Sequence, residues 1–172
     1  MPMNVTRADS IAAALRGHDD VDGLVHCAGG FRWAPLEELT DADLDFLLGL
    51  NLRSTLMLLR ALLPGMKQRN FGRVVLVGAA SAQRPGAGVS AYAASKAGVH
   101  AVAQAMAAEV RAFDITVNAV LPTTLDTPAA RRDMPGADTS DWVTPSQLAR
   151  LILSLVRDDN AVSGALVPAT GR

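Results

Sequence analysis

The stretch Val21-Asp22-Gly23-Leu24-Val25-His26-Cys27-Ala28-Gly29-Gly30 decides how the rest of the chain is read. A short apolar run closed by two glycines predicts a strand over 21–28 buried on both faces, as in a parallel sheet covered by helices. Upstream, Thr6 followed by Ile11, Ala14 and Leu15 predicts a short helix, capped by the Thr6 side chain and running to about Gly17. Downstream, Thr40 opens a long helix in which Leu44, Leu47, Leu48, Thr55, Leu58, Leu59 and Leu62 recur at three and four residues, ending near Pro64-Gly65 or shortly after. Asn51 falls on the same stripe. A second buried strand is predicted over 73–77, between Gly72 and Gly78, and a helix over about 92–112. The many alanines of that helix suit an interface or a crowded core. A third strand over 115–121 ends at Pro122. Thr144-Pro145 then caps and opens a helix carrying Leu148, Leu151, Ile152 and Leu155, and a fourth strand covers 165–167. Strand and helix alternate throughout, without repeat, low-complexity tract or linker. The expected fold is one α/β domain over 1–172: a doubly wound parallel sheet of about four strands with helices on both faces.

Composition narrows the function classes. The chain has 172 residues, 49% of them hydrophobic, enough for one substantial core and too few for two comfortable domains. Sixteen basic against seventeen acidic residues leave a net charge of −1, without the basic footprint expected of a nucleic-acid or anionic-lipid binder. Arg131-Arg132 reads as part of a solvated loop. The single cysteine, Cys27, cannot form an internal disulfide and, set in an apolar run, is expected to be a buried small hydrophobe. His18, His26 and His100 lack metal-ligand spacing. The N-terminus has no signal-peptide pattern, and the apolar stretch over 56–63, interrupted by Arg60, is short of a membrane span. The expectation is a cytoplasmic protein.

Chemistry is suggested first by Tyr92 and Lys96, four apart on one helix and therefore on one face. The chain has one tyrosine and two lysines, so this spacing is uncommon by chance, although a surface pair is the plain alternative. An ammonium beside a phenol stabilises the phenolate, which would let Tyr92 exchange a proton with an alcohol or carbonyl oxygen. Asn51 is a polar group on an apolar face and must find partners there; it could simply bridge helix and strand.

Together these segments resemble the short-chain dehydrogenase/reductase family. The run 22–29 is similar to the family's fourth strand, which usually ends Asn-Asn-Ala-Gly. Asn51, within Gly49-Leu50-Asn51-Leu52, occupies its asparagine position, and Tyr92-Ala93-Ala94-Ser95-Lys96 its Tyr-x-x-x-Lys site. Val117-Asn118-Ala119-Val120-Leu121-Pro122 with Asp126-Thr127-Pro128 looks like its cofactor-side loop, and 163–167 like its last strand. The resemblance implies NAD(P)-dependent redox chemistry on a small carbonyl or alcohol, with Tyr92 as acid/base. Lys96 would bind the nicotinamide ribose and depress the tyrosine's pKa, Asn51 would hold a relay water, and Thr127 would touch the carboxamide. Contacts to NAD or NADP are implied for Ala28, Gly29, Tyr92, Lys96, Pro122 and Thr127.

Two departures qualify this. The family's serine lies thirteen residues before the tyrosine, where this chain has Ala79; Ser81 could replace it only through a rearranged loop. The glycine-rich strand-turn-helix that binds the pyrophosphate is not found either, because Asn4-Val5-Thr6 resembles the end of the family's third strand. Gly86-Ala87-Gly88 fits part of a dinucleotide fingerprint but follows no strand directly. Three readings stand: an oxidoreductase, impaired as an isolated chain; a non-catalytic relative serving assembly or interaction; and a true start upstream of Met1. A strand at 21–28 without its usual neighbour would be an exposed edge, so a homo-oligomer or a partner chain covering it is expected.

Overall fold

The computed structural model describes residues 3–171. Four strands, β1 (Gly23–His26), β2 (Phe71–Val77), β3 (Asp114–Pro122) and β4 (Leu166–Ala169), form one parallel sheet in the order β1-β2-β3-β4. The helices are α1 (Ala8–Leu15), α2 (Asp41–Leu47), α3 (Ser54–Arg69), α4 (Ser90–Glu109), α5 (Pro128–Asp133) and α6 (Pro145–Leu155). This is the expected doubly wound α/β architecture. Alternation along the central strands divides the core between two faces. Val74 and Leu76 of β2, with Ile115, Val117 and Ala119 of β3, pack on Leu59, Leu62 and Met66 of α3 and Val99 and Ala103 of α4. Val75 and Val120 turn the other way, onto Leu148, Ile152 and Leu155 of α6.

The helix starts follow local capping chemistry. Thr40 and Thr144 each accept from the amide three residues on, while Asp43 and Gln147 reach back to the cap amide, so both helices begin with a capping box. Thr6 does not cap α1 as expected. Its hydroxyl donates to Asn4 Oδ1 at 2.7 Å, and the position before α1 is Arg7, without a side-chain cap. Pro64 does not end the long helix, which runs on to Arg69 and closes at Asn70 in the left-handed conformation (φ 53°). The carbonyl that Pro64 cannot bond belongs to Arg60, which is exposed to water.

Other corrections concern β1 and its surroundings. The strand is four residues long and is the edge of the sheet, so it is not buried on both faces: Leu24 packs toward α3, but Val25 is 43% exposed because α6 covers only the later strands. Cys27 is exposed, since β1 has ended one residue earlier. Arg131 and Arg132 lie in the last turn of α5, where Arg131 pairs with Asp126, and not in a loop. Residues 41–69 form one long helical segment with the length and apolar character of a membrane span, half of its apolar window buried within the protein; the short stretch 56–63 alone concealed this. The alanine-rich α4 buries Ala93, Val99 and Ala103 and leaves Ala94, Ala97, Ala101 and Ala105 at the surface.

At the far end of the sheet from its C-terminal edge, Arg73 is buried and gathers loose chain ends. It donates to the carbonyls of Gly72, Asp114, Arg157 and Asp158 and pairs with the Asp114 carboxylate at 2.9 Å. Methionine would fill the space but abandon those carbonyls. Arg73→Met is expected to lower unfolding free energy by about 3 kcal/mol, measured by urea denaturation.

Candidate functional site

The C-terminal end of β1 leads into Gly29-Gly30, and the chain there is held by one side chain. Asn51 Oδ1 accepts from the Gly30 amide at 2.8 Å, while its Nδ2 donates to the Gly30 carbonyl at 3.0 Å and to Ser95 Oγ at 2.9 Å. Ser95 Oγ in turn donates to the Tyr92 carbonyl at 2.7 Å. Asn51 is buried and so joins β1, the long helix and α4. The sequence reading left open that Asn51 bridges helix and strand; here both of its amide protons are engaged in doing so.

Asn51 reaches Gly30 because the helix is wound differently around it. Leu48–Arg53 is a π-helical turn between α2 and α3, and such turns free carbonyls that an α-helix would consume. Ser54 Oγ donates to the Leu50 carbonyl at 2.5 Å and Thr55 Oγ1 to the Asn51 carbonyl at 2.8 Å. Since the Ser54 proton is spent on Leu50, His26 must donate from Nε2 to Ser54 Oγ, at 2.9 Å. His26 and Ser54 thus support the turn that positions Asn51.

Lys96 lies one turn beyond Tyr92 on α4 and is buried. Its Nζ donates to the Val77 carbonyl at 2.8 Å. The missing side chain of Gly29 keeps the adjoining space open: a Cβ there would sit 3.1 Å from Lys96 Nζ and 3.0 Å from Asn51 Oδ1. Burial pulls the Lys96 pKa down to about 8, with the neighbouring Cys27 opposing. His100, a further turn along, accepts the Ala79 amide at Nε2, 3.3 Å away, so its proton sits on Nδ1. Lys96 and His100 therefore grip the end of β2 on either side of Gly78, where a Cβ would meet His100 Nε2 at 2.5 Å.

Tyr92 is pushed up from its ordinary pKa by burial. This is opposite to the expected depression by Lys96, whose ammonium is directed to the Val77 carbonyl. The Phe31 ring meets Tyr92 edge-on, centroids 4.9 Å apart. Ala79 is buried at the end of β2, whereas Ser81 is exposed on a 3₁₀ turn, Ala80–Ala82, and shares no hydrogen bond with Tyr92, Lys96 or Asn51. Thr127 caps α5, its Oγ1 accepting from Ala130 N at 3.2 Å, and Pro122 closes β3 opposite Ala169. The structure thus brings Asn51 and Lys96 together at Gly29 and sets the Tyr92 ring against Phe31, and Ser81 shares no hydrogen bond with any of them. Phe31, Trp33, His26, Ser54 and His100 were not legible as site residues, although the histidine in place of asparagine at position 26 was a signal. A concavity of about 850 Å³ lies on the outer side of the π turn, beside Leu48, Leu52 and Leu56. No group of metal-binding side chains occurs among the described residues.

The electrostatics have a consequence for stability. Burial first, and Lys96 second, lower the His26 pKa to about 4, and His100 moves in the same direction for the same reasons. Between pH 6.5 and 4 the unfolded chain takes up protons that the folded protein refuses, so stability is complete above this window and lost as pH falls through it. Melting temperature is expected to decline from pH 6.5 to 4, and His26→Asn, which can still donate to Ser54, to flatten that decline in calorimetric scans across the same range.

Comparison with known proteins places the chain in a family. The short chain dehydrogenase family profile matches residues 1–137. The chain is 37% identical over 131 residues to a 3-oxoacyl-[acyl-carrier-protein] reductase of Vibrio cholerae, covering 74% of this chain and 54% of that protein. It is 29% identical over 160 residues to an acetoacetyl-CoA reductase of Allochromatium vinosum, covering 88% and 65%. It therefore spans between half and two thirds of the length of these relatives. A solved short chain dehydrogenase/reductase family protein superposes with a TM-score of 0.92 at 27% identity, covering 98% of this chain and 74% of that one. With the family profile covering most of its length and the Tyr92, Lys96 and Asn51 constellation at the sheet's C-terminal edge, the chain belongs to the short-chain dehydrogenase family.

Proposed function

We propose that this chain is an NAD(P)-dependent oxidoreductase of a small carbonyl compound or alcohol, with Tyr92 as its acid/base and with turnover attenuated by Ala79. The observation that supports the reading best is the meeting of Asn51 and Lys96 at the Gly29-Gly30 corner, with the Tyr92 ring against the neighbouring Phe31. The residues present fit the nicotinamide-ribose end of such a cofactor. Lys96 Nζ uses one of its three donors on Val77, leaving two for hydroxyls, and Gly29 leaves room beside it. They do not furnish a phosphate cradle: Gly86 and Gly88 lie in a loop, and Gly88 is taken up by packing on Trp33.

When bound, the reduced cofactor supplies the hydride that the carbonyl carbon accepts. Tyr92, held in its protonated form at neutral pH by burial, donates its phenolic proton to the carbonyl oxygen, so the carbonyl becomes an alcohol. Lys96 would hold the ribose hydroxyls, while Asn51 keeps Gly30 and α4 in register. Oxidation of an alcohol requires the phenolate at the outset and therefore favours high pH. The serine that would donate to the substrate oxygen is replaced by Ala79, and losing one such donor costs about 10²- to 10³-fold in turnover.

A second reading is favoured by Ala79 and by the exposure of Ser81, which shares no hydrogen bond with the site residues: a non-catalytic relative that serves assembly or interaction. Under either reading the chain is one cytoplasmic domain. Its exposed edge strand β1 is covered by another copy or by a partner chain, because unpaired strand edges invite pairing. A monodisperse monomer in dilute solution scattering would count against that cover.

Titration with NADH and NADPH, followed by nicotinamide fluorescence, separates the readings. Saturable binding is expected, with carbonyl-dependent oxidation of the reduced cofactor. Tyr92→Phe is expected to reduce that turnover at least a hundredfold while preserving binding, and Ala79→Ser to raise it by about 10²-fold. Absence of binding to both cofactors would leave the assembly reading in place.

A further inference from the structure

We infer that the substrate side of this site is an aromatic platform, made by Phe31 and Trp33, that selects carbonyl compounds or alcohols bearing an aromatic ring. The inference names the substrate class of the site proposed above and rests on that reading for its location. The chain has four Phe, two Trp and one Tyr in all, and Phe31, Trp33, Tyr92 and Phe46 are gathered at this one corner. Phe31 and Trp33 are 51% and 65% exposed, yet neither hangs on a loose loop. Trp33 Nε1 donates to the Ala87 carbonyl at 3.2 Å, and the Ala34 amide donates to Gly88 O at 2.9 Å. Loop 31–34 is thereby clasped to the loop that leads into Tyr92.

The clasp explains a glycine. Gly88 has φ +77°, and a Cβ there would lie 2.5 Å from the Trp33 indole nitrogen, so only glycine lets the indole lie flat against this turn. Arg32, between the two rings, is drawn away by Asp43 at 3.2 Å and by the face of Phe46, 4.4 Å from its centroid. Phe46 also packs beneath Gly30. Two large apolar rings are thus held exposed to water, Phe31 in edge-to-face contact with the proposed acid/base and Trp33 on the loop that leads into it. Exposed aromatic surface on a braced backbone favours a planar aromatic partner, because edge-to-face and offset-stacked ring pairs add stabilisation beyond the area they bury. A flexible alkyl chain gains only the burial.

Two eight-carbon ketones, acetophenone and 2-octanone, provide the test, with binding to the purified chain measured by saturation-transfer NMR and calorimetry, and no turnover required. Acetophenone is expected to bind several-fold more tightly than 2-octanone. Trp33→Ala and Phe31→Ala should each weaken acetophenone by about five- to tenfold and weaken 2-octanone by distinctly less, since the alkyl chain loses only buried area. Trp33→Phe, which keeps a ring but removes the bond to Ala87, should retain the preference and so separate ring recognition from loop bracing. Equal affinity for the two ketones, or an acetophenone affinity unmoved by Trp33→Ala in a variant with an unchanged circular dichroism spectrum, would overturn the inference. Ring preference without NAD(P)H binding would sustain it while removing the oxidoreductase reading, and NAD(P)H binding without ring preference would do the reverse.

Discussion

The carboxamide of Asn51 is the joint on which the site depends. A buried amide must satisfy its acceptor and both donors, and here they are divided between the backbone of Gly30 and the hydroxyl of Ser95. This choice ties the turn after β1 to α4, whose Ser95 passes the connection to the Tyr92 carbonyl. The rest of the arrangement exists to let Asn51 reach that far. The π turn displaces the helix locally, Ser54 and Thr55 return hydrogen bonds to the freed carbonyls, and His26 supports Ser54 from the strand. Removing the carboxamide would leave partners unsatisfied on two segments at once, the Gly30 turn and α4.

A second constraint is the burial of an ammonium among groups that cannot neutralise it. Lys96 meets a backbone carbonyl, and its titratable neighbours are two histidines and a thiol; none is a carboxylate. The histidines accordingly stay neutral, and each uses its neutral form differently: His26 as a donor to Ser54, His100 as an acceptor from Ala79. The unused donors of Lys96 face the space that Gly29 leaves open. Under the proposed function this space would take hydroxyl groups, in contrast with the aromatic side at Phe31 and Trp33. Polar recognition and ring recognition would then meet at Tyr92.

Much of the fold was legible because its signals are local. The apolar runs that became β2 and β3, the Thr40 and Thr144 starts and the Leu stripe of the long helix each depend on residues within a turn or two. The pairing of Tyr92 with Lys96 followed from helical spacing, and Asn51 from its place on the stripe. What misled the reading were features whose outcome depends on distant residues. The apolar content of β1 suggested a strand enclosed on both sides, but whether Val25 meets a helix is decided by where α6 packs. Pro64 marked the neighbourhood of the terminus, yet the helix runs on to Arg69, because the residue whose carbonyl it cannot bond, Arg60, is exposed.

By itself, then, the sequence determined the alternation of strand and helix, the family resemblance, the four-residue spacing of Tyr92 and Lys96 and the replacement of a serine by Ala79. Those are facts of composition and of periods that repeat within a single element. Tertiary structure alone decided that Lys96 turns to Val77, that burial raises the Tyr92 pKa, that Asn51 spends its amide on Gly30 and Ser95, and that Phe31 meets the tyrosine while Trp33 is braced on Ala87. These outcomes depend on side-chain direction and burial, set where separate elements meet, and no spacing along one helix or strand encodes them.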